Sequence, residues 1–198
     1  MKTVVALARN HMSGGKGNRF VLARLRMFDG TLVRNGADGV RHLQDRILRD
    51  PGSAFLWDRL GNQYDSAEHP SEAICAWRRA LELDPSFAPS LFSLGRLLMD
   101  GGDRVGAVDA WHRFLRCVRG FERLDRGTKR KFTRTVLEGL LEAHEGSGGS
   151  LRGLPESAPA APVEGCEAVL QLRSYDLSRP DDWDRLVDEF VRPWGESP

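Results

Sequence analysis

Ser13-Gly14-Gly15-Lys16-Gly17-Asn18 combines the residue types that cradle phosphates. A nucleotide loop needs a hydroxyl directly after the lysine to hold magnesium. Gly17 occupies that place, so a plain turn is expected. The three cysteines, Cys75, Cys117 and Cys166, are far apart and form no C-x-x-C pair. Neither a disulfide framework nor a zinc knuckle follows, and a reducing, cytoplasmic setting is expected. His11, His42, His69, His112 and His144 include no pair at the i, i+3 or i, i+4 spacing of metal ligands on one helix face. No nucleophile–base constellation, paired carboxylates in an apolar setting or cofactor loop is visible. The expectation is therefore no catalysis, no cofactor and no metal.

One cluster could do polar chemistry of another kind. Residues 119–134 hold Arg119, Arg123, Arg126, Lys129, Arg130, Lys131 and Arg134 against Glu122 and Asp125, a net of +5. With Phe121 and Phe132 available for stacking, this is a candidate polyanion patch. It is equally a candidate dock for an acidic element of the same chain.

The 198 residues carry a formal net charge of +1, which removes the simplest argument for a nucleic-acid binder. That balance is a cancellation: residues 1–49 are +7, 50–144 are neutral and 145–198 are −6. No apolar run reaches the ~18 residues of a membrane span.

The elements that would position any site announce themselves as a repeat. Laying 54–85 onto 88–119 gives eight identities, among them Leu60/Leu94, Gly61/Gly95, Ala73/Ala107 and Trp77/Trp111. Trp57, Leu60 and Tyr64 share one helix face. Gly61 removes a side chain where a second helix must approach closely. Pro70 suits the first turn of that second helix, and Asp84-Pro85 ends it. Asp50-Pro51 lies one full period before Asp84-Pro85, so 37–49 reads as the second helix of a degenerate repeat. Its first helix does not match, since Arg26, Met27 and Gly30 stand where Leu, Gly and Tyr are expected. An amphipathic helix over 127–146 caps the array.

Trp57-x-x-Leu60-Gly61-x-x-Tyr64, followed by Ala73, Trp77, Ala80 and Pro85, resembles the tetratricopeptide repeat (TPR). The offset between the two copies agrees with that family's period of about 34 residues. The resemblance implies a mainly α, short helical-repeat solenoid. It also implies a protein–protein interaction module that holds a peptide along the first helices of its repeats. The groove positions carried over are Phe55, Asp58, Asn62 and Asp65 from the first repeat, and Phe92, Arg96 and Met99 from the second. Asn62 matches the asparagine that holds a peptide backbone in many family members. Asp58 stands where the carboxylate-gripping members have lysine, so a basic or apolar peptide is the better fit. A polyanion- or nucleic-acid-binding protein and an accessory subunit of an enzyme complex stand as alternatives.

The ends are expected to be different. Residues 1–36 form an N-terminal segment, 37–147 the repeats with their capping helix, 148–165 a Gly/Ser- then Pro/Ala-rich linker, and 166–198 a strand–helix segment. Phe28-Asp29-Gly30-Thr31 is a hairpin signal, although Val21, Leu25, Phe28 and Leu32 also fit a helix. A small sheet joining Thr3–Ala8, this hairpin and a strand at 168–174 is expected. The helix from 180 to 191, capped by Ser178, is expected to return to the repeats. It would place Trp183 and Phe190 on apolar surface and Asp181, Asp184 and Asp188 toward arginines.

Overall fold

A computed structural model describes residues 25–145 and 179–193. The chain enters on a two-stranded antiparallel hairpin, β1 (Leu25–Arg26) and β2 (Leu32–Val33), with Leu25 opposite Val33. Seven helices follow among the described residues: α1 (Gly36–Arg49), α2 (Ala54–Ser66), α3 (Pro70–Leu83), α4 (Ala88–Asp100), α5 (Arg104–Cys117), α6 (Arg126–Glu145) and α7 (Pro180–Val191). The fold is mainly α, a short solenoid in which α2/α3 and α4/α5 are the dominant helix pairs.

Local chemistry sets the helix ends. Asn35 caps α1, its side chain accepting the Asp38 amide at 2.9 Å. Asp103 caps α5 in the same way, accepting the Gly106 amide at 3.0 Å. Pro70 occupies the first turn of α3, where a missing N–H costs nothing. The two intra-repeat turns need one left-handed residue each: Glu68 in the first and Gly102, at the equivalent position, in the second.

The repeat core is built from tryptophan and glycine. Trp77 and Trp111 are buried. A Cβ at Gly61 would lie 2.5 Å from the Trp77 ring, and one at Gly95 would overlap Trp111. The far edge of Trp111 meets a third glycine, Gly139 of α6, so this ring is wedged between two helices that carry no side chain there. Both indole N–H groups are buried without a partner among the described residues, so packing rather than hydrogen bonding holds them.

Helix α1 behaves as a second-type helix. Gly39, Leu43 and Ile47 are buried at the positions that Ala73, Trp77 and Leu81 hold in α3. In place of its first-helix partner stands the hairpin, and the helical alternative for this stretch is not adopted. The turn's Asp29 fastens the hairpin to α1 by bonding His42 at 2.8 Å and Arg46 at 2.9 Å. Partial burial works to raise the Asp29 carboxyl. Bonds from Thr31 and the proximity of His42 outweigh it and hold the group at about 2.

At the other end α7 packs on α6, with Leu186, Val187, Phe190 and Val191 buried in the core shared by α3 to α6. Its N-cap position falls on Arg179, whose side chain makes no capping bond. The expected cap Ser178, the segments at 3–8 and 168–174, and the linker at 148–165 lie outside the described residues.

Candidate functional site

The first helices α2, α4 and α6 lie side by side. The seven groove candidates are drawn from α2 and α4, and they fall into small groups that already have partners. Phe55 meets Phe28 of the hairpin edge-on, with centroids 5.1 Å apart, and the Arg59 guanidinium covers its ring at 4.8 Å. Phe92 stacks on Phe132 of α6 at 4.0 Å with planes 3° apart. Met99 packs against the core. The hairpin and α6 thus close the two ends of the face.

Asp58 corrects the expectation placed on it. Its side chain is fully buried and faces α4 rather than an incoming peptide. Ser90 Oγ of α4 donates to it at 2.9 Å, and Asn62 Nδ2 donates at 3.1 Å. Burial pushes its carboxyl up to about 6, offset only in part by the Arg59 charge and these two bonds. The physical reason for the misplacement is register: Asp58 lies one turn before Asn62 on the side of α2 that meets the next repeat. It is an inter-helix contact, and it engages one amide hydrogen of Asn62. Sequence reasoning missed Ser90, whose serine in a buried helix stripe was the available signal.

The partly accessible charged groups of the face are Asp65 and Arg96. Arg96 bridges Asp65 at 2.5 Å across α2 and α4, and reaches Asp100 at 3.1 Å on its own helix. Both remain partly accessible, so this network can exchange internal partners for a ligand's polar groups. Asn62 is half-buried beside it.

The basic stretch of 119–134 turns toward α7. Arg130 pairs with Asp184 at 2.9 Å and, more closely, with Asp188; Arg126 reaches Asp188 at 3.7 Å. Arg119 donates to the Glu189 carbonyl, and the Arg134 guanidinium lies 5.6 Å from the Trp183 ring centre. Phe121 packs edge-on to Phe87 at 5.3 Å, and Phe132 is occupied by Phe92. The patch is therefore a dock for an acidic helix of the same chain. Asp184 and Asp188 meet arginines as expected. Asp181 stays exposed in the first turn of α7.

Of the chemistry candidates, Ser13–Asn18 and Cys166 lie outside the described residues. Cys75 is exposed, and burial pushes the half-buried Cys117 thiol up to about 11. No group of three His, Cys, Asp or Glu side chains able to hold a metal occurs among the described residues. None of the described helices is long and apolar enough to cross a membrane.

Comparison with known proteins agrees with this architecture. No protein-family model matches the chain. A stretch of 74 residues, 37% of the chain, is 32% identical to human PEX5-related protein, of which it spans only 12%. One crystal structure of MamA, a TPR-like protein, superposes with a TM-score of 0.50 at 18% identity, covering 82% of this chain and 69% of that one. A second MamA structure gives 0.48 at 22% identity over 58% of this chain and 60% of that one. The motif, the glycine–tryptophan packing and the superposition define the fold: a short helical-repeat solenoid of the tetratricopeptide type.

Proposed function

We propose that the chain is a protein-interaction module that holds a partner polypeptide along the face of α2, α4 and α6, with no chemistry of its own. The observation that carries this reading is the repeat packing itself, which sets Asn62, Asp65, Arg96, Phe55, Phe92 and Met99 on adjacent first helices. Asn62 and the Asp65–Arg96 pair are the polar grips, and the accessible edges of Phe55, Phe92 and Met99 are the apolar ones. Asp58 acts behind the face, holding Asn62 in place. Asp65 and Asp100 outweigh Arg96 by one charge, so the face favours a backbone-reading, largely apolar or weakly basic peptide over an acidic one. The face is short, and affinity of a modest order follows unless the partner extends beyond it. The separated thiols favour a cytoplasmic setting.

The test is affinity capture from source cells with the full chain and with Asn62→Ala/Met99→Asp. Loss of specific partners at unchanged helicity supports the reading. Partners retained by the variant, or lost equally with Arg126→Glu, argue against it. A polyanion reading instead requires a steeply salt-dependent gel shift that fails with Arg130→Glu/Lys131→Glu.

A further inference from the structure

A second surface lies on the other side of α2. There α1 and α3 stand apart, and a groove of about 890 Å³ opens between them. Its floor is Trp57, Leu60 and Tyr64, and its walls include Leu48 and Cys75. Leu48, in the last turn of α1, is 81% exposed and adjoins the apolar floor, so the groove presents a contiguous apolar patch. The equivalent positions of the next repeat show that this is not a property of the repeat. Leu48 gives way to Glu82, Cys75 to Asp109, and the aromatic Trp57 and Tyr64 to Leu91 and Leu98. Ser71 and Glu72, replaced by Val105 and Gly106, run the other way. The first inter-repeat groove is thus apolar at the Leu48 and Cys75 positions, where the second is charged. Its rim carries Glu72 and Glu82, the latter bridged to Arg79 at 2.6 Å.

The chain contains a segment of matching chemistry. Residues 1–24 hold Lys2, Arg9, Lys16, Arg19 and Arg24 and no Asp or Glu, and Val4, Val5 and Leu7 lie between the first two cations. The reach is sufficient. Leu25 is paired with Val33, three residues before α1, and Gln44 of the groove lies eight residues into that helix. That path is at most about 30 Å, using ~5 Å across the strand pair, ~3.6 Å per extended residue and ~1.5 Å per helical residue. Residues 9–24 span up to about 50 Å when extended.

We propose that the segment Thr3–Ala8 of the same chain, instead of joining a sheet with the hairpin, occupies the α1/α3 groove, with Val4, Val5 and Leu7 covering Leu48, Trp57 and Cys75, and Lys2 and Arg9 meeting the glutamates of the rim. The groove is then a self-occupied docking surface, separate from the face of the first helices, and either reading stands without the other.

Cys75 reports on the occupant. The full chain carrying Cys117→Ala and Cys166→Ala leaves it as the one thiol for maleimide labelling. The expected result is slow labelling that Val5→Asp/Leu7→Asp accelerates about tenfold, as the loss of a protecting local contact does. Circular dichroism should be unchanged, because both substitutions lie outside the described helices. A synthetic peptide of residues 1–12 should restore protection to that variant, whereas the same peptide with both aspartates should not. Labelling that is already fast in the parent chain, or unaffected by the substitutions, overturns the proposal. So does parent-chain protection that is lost on dilution, which would make a second copy the occupant.

Discussion

The hairpins α2/α3 and α6/α7 do the same job by different means. In the first, a short turn at 67–69 joins the helices; in the second, α6 ends at Glu145 and α7 begins at Pro180. Yet α7 sits as a second helix should. With Pro70 laid on Pro180, the buried Ala76, Trp77, Ala80 and Leu81 fall on the buried Leu186, Val187, Phe190 and Val191. One tertiary bond also recurs with donor and acceptor exchanged. Arg113 of α5 donates to the Pro85 carbonyl, and at the corresponding pair of positions Arg119 donates to Glu189 of α7. The array therefore ends in a third hairpin whose halves are far apart in sequence. A second helix needs a complementary surface, and a tight turn only reduces the entropy lost in finding it. That surface is reshaped too. Around Trp77 the volumes run small, large, small; around Val187 they run large, small, large.

Truncating the ring that joins the hairpins tests the comparison most severely. Trp111 is wedged between Gly95 of α4 and Gly139 of α6. Trp111→Ala should cost about 3–5 kcal/mol, a large share of the whole stability of such a domain. It should destabilise α4 to α7 together in a denaturant titration. A loss below about 1 kcal/mol would mean that the third hairpin is not coupled to the second through this ring. Gly139→Ala, which drives a methyl into the same ring, should cost about 1–3 kcal/mol.

Leu186→Ala should come next, at about 2–3 kcal/mol for a fully buried leucine. Here the long separation changes the form of the response. Amide exchange should rise across 180–191 while α2 to α5 keep their protection, because α7 opens without dragging a short turn with it. Uniform exposure of the whole array would remove the distinction between the two hairpins.

How much of this is legible in the sequence follows from the same contrast. Where a residue type answers to one neighbour, as Gly61 answers to Trp77, period and spacing lead directly to the hairpin. The helix at 180–191 is also legible, from its apolar stripe and its acidic first turn. Its membership in a third hairpin is not, because the volumes are exchanged and the partner lies far away in sequence. Asp58 shows the limit for sites. A motif position says which helix face a residue is near, but not whether a serine of the next repeat will claim its carboxylate. Phe28 and Phe132 covering the ends of the face, and Gly139 receiving Trp111, are likewise properties of neighbouring elements rather than of any local pattern.

The Asp58 contact exists only in the first pair of repeats and gives that junction its own pH response. The ordinary value of 3.8 is raised to about 6 in the folded protein. The folded chain therefore holds this proton more tightly than the unfolded one between those values. The associated stabilisation is complete below about pH 4 and is lost as pH rises through about 6. Asp58→Asn keeps an acceptor for Ser90 and removes the buried charge. It should be about 1–2 kcal/mol more stable than the parent at pH 7.5, with the difference closing by pH 4. Urea unfolding at the two pH values checks this, and a pH-independent gap would show that Asp58 is not buried as an acid.

The smallest effect lies in the turns. Glu68 holds a left-handed conformation, φ 59°, at the position where the second hairpin has Gly102, φ 84°. A side chain there costs about 1 kcal/mol that glycine avoids, against which glycine loses more freedom on folding. The native geometry already demands the left-handed well, so the first term wins. Glu68→Gly should raise the stability of the first hairpin by about 0.5 kcal/mol, a melting shift of about 1–2 °C for a chain of this size. Gly102→Glu should lower the second by a larger amount, since φ 84° lies farther than Glu68's 59° from the left-handed well, at about 57°, that an L side chain can occupy. Equal and opposite shifts would mean that the two turns are interchangeable and that the difference between the hairpins resides entirely in their helices.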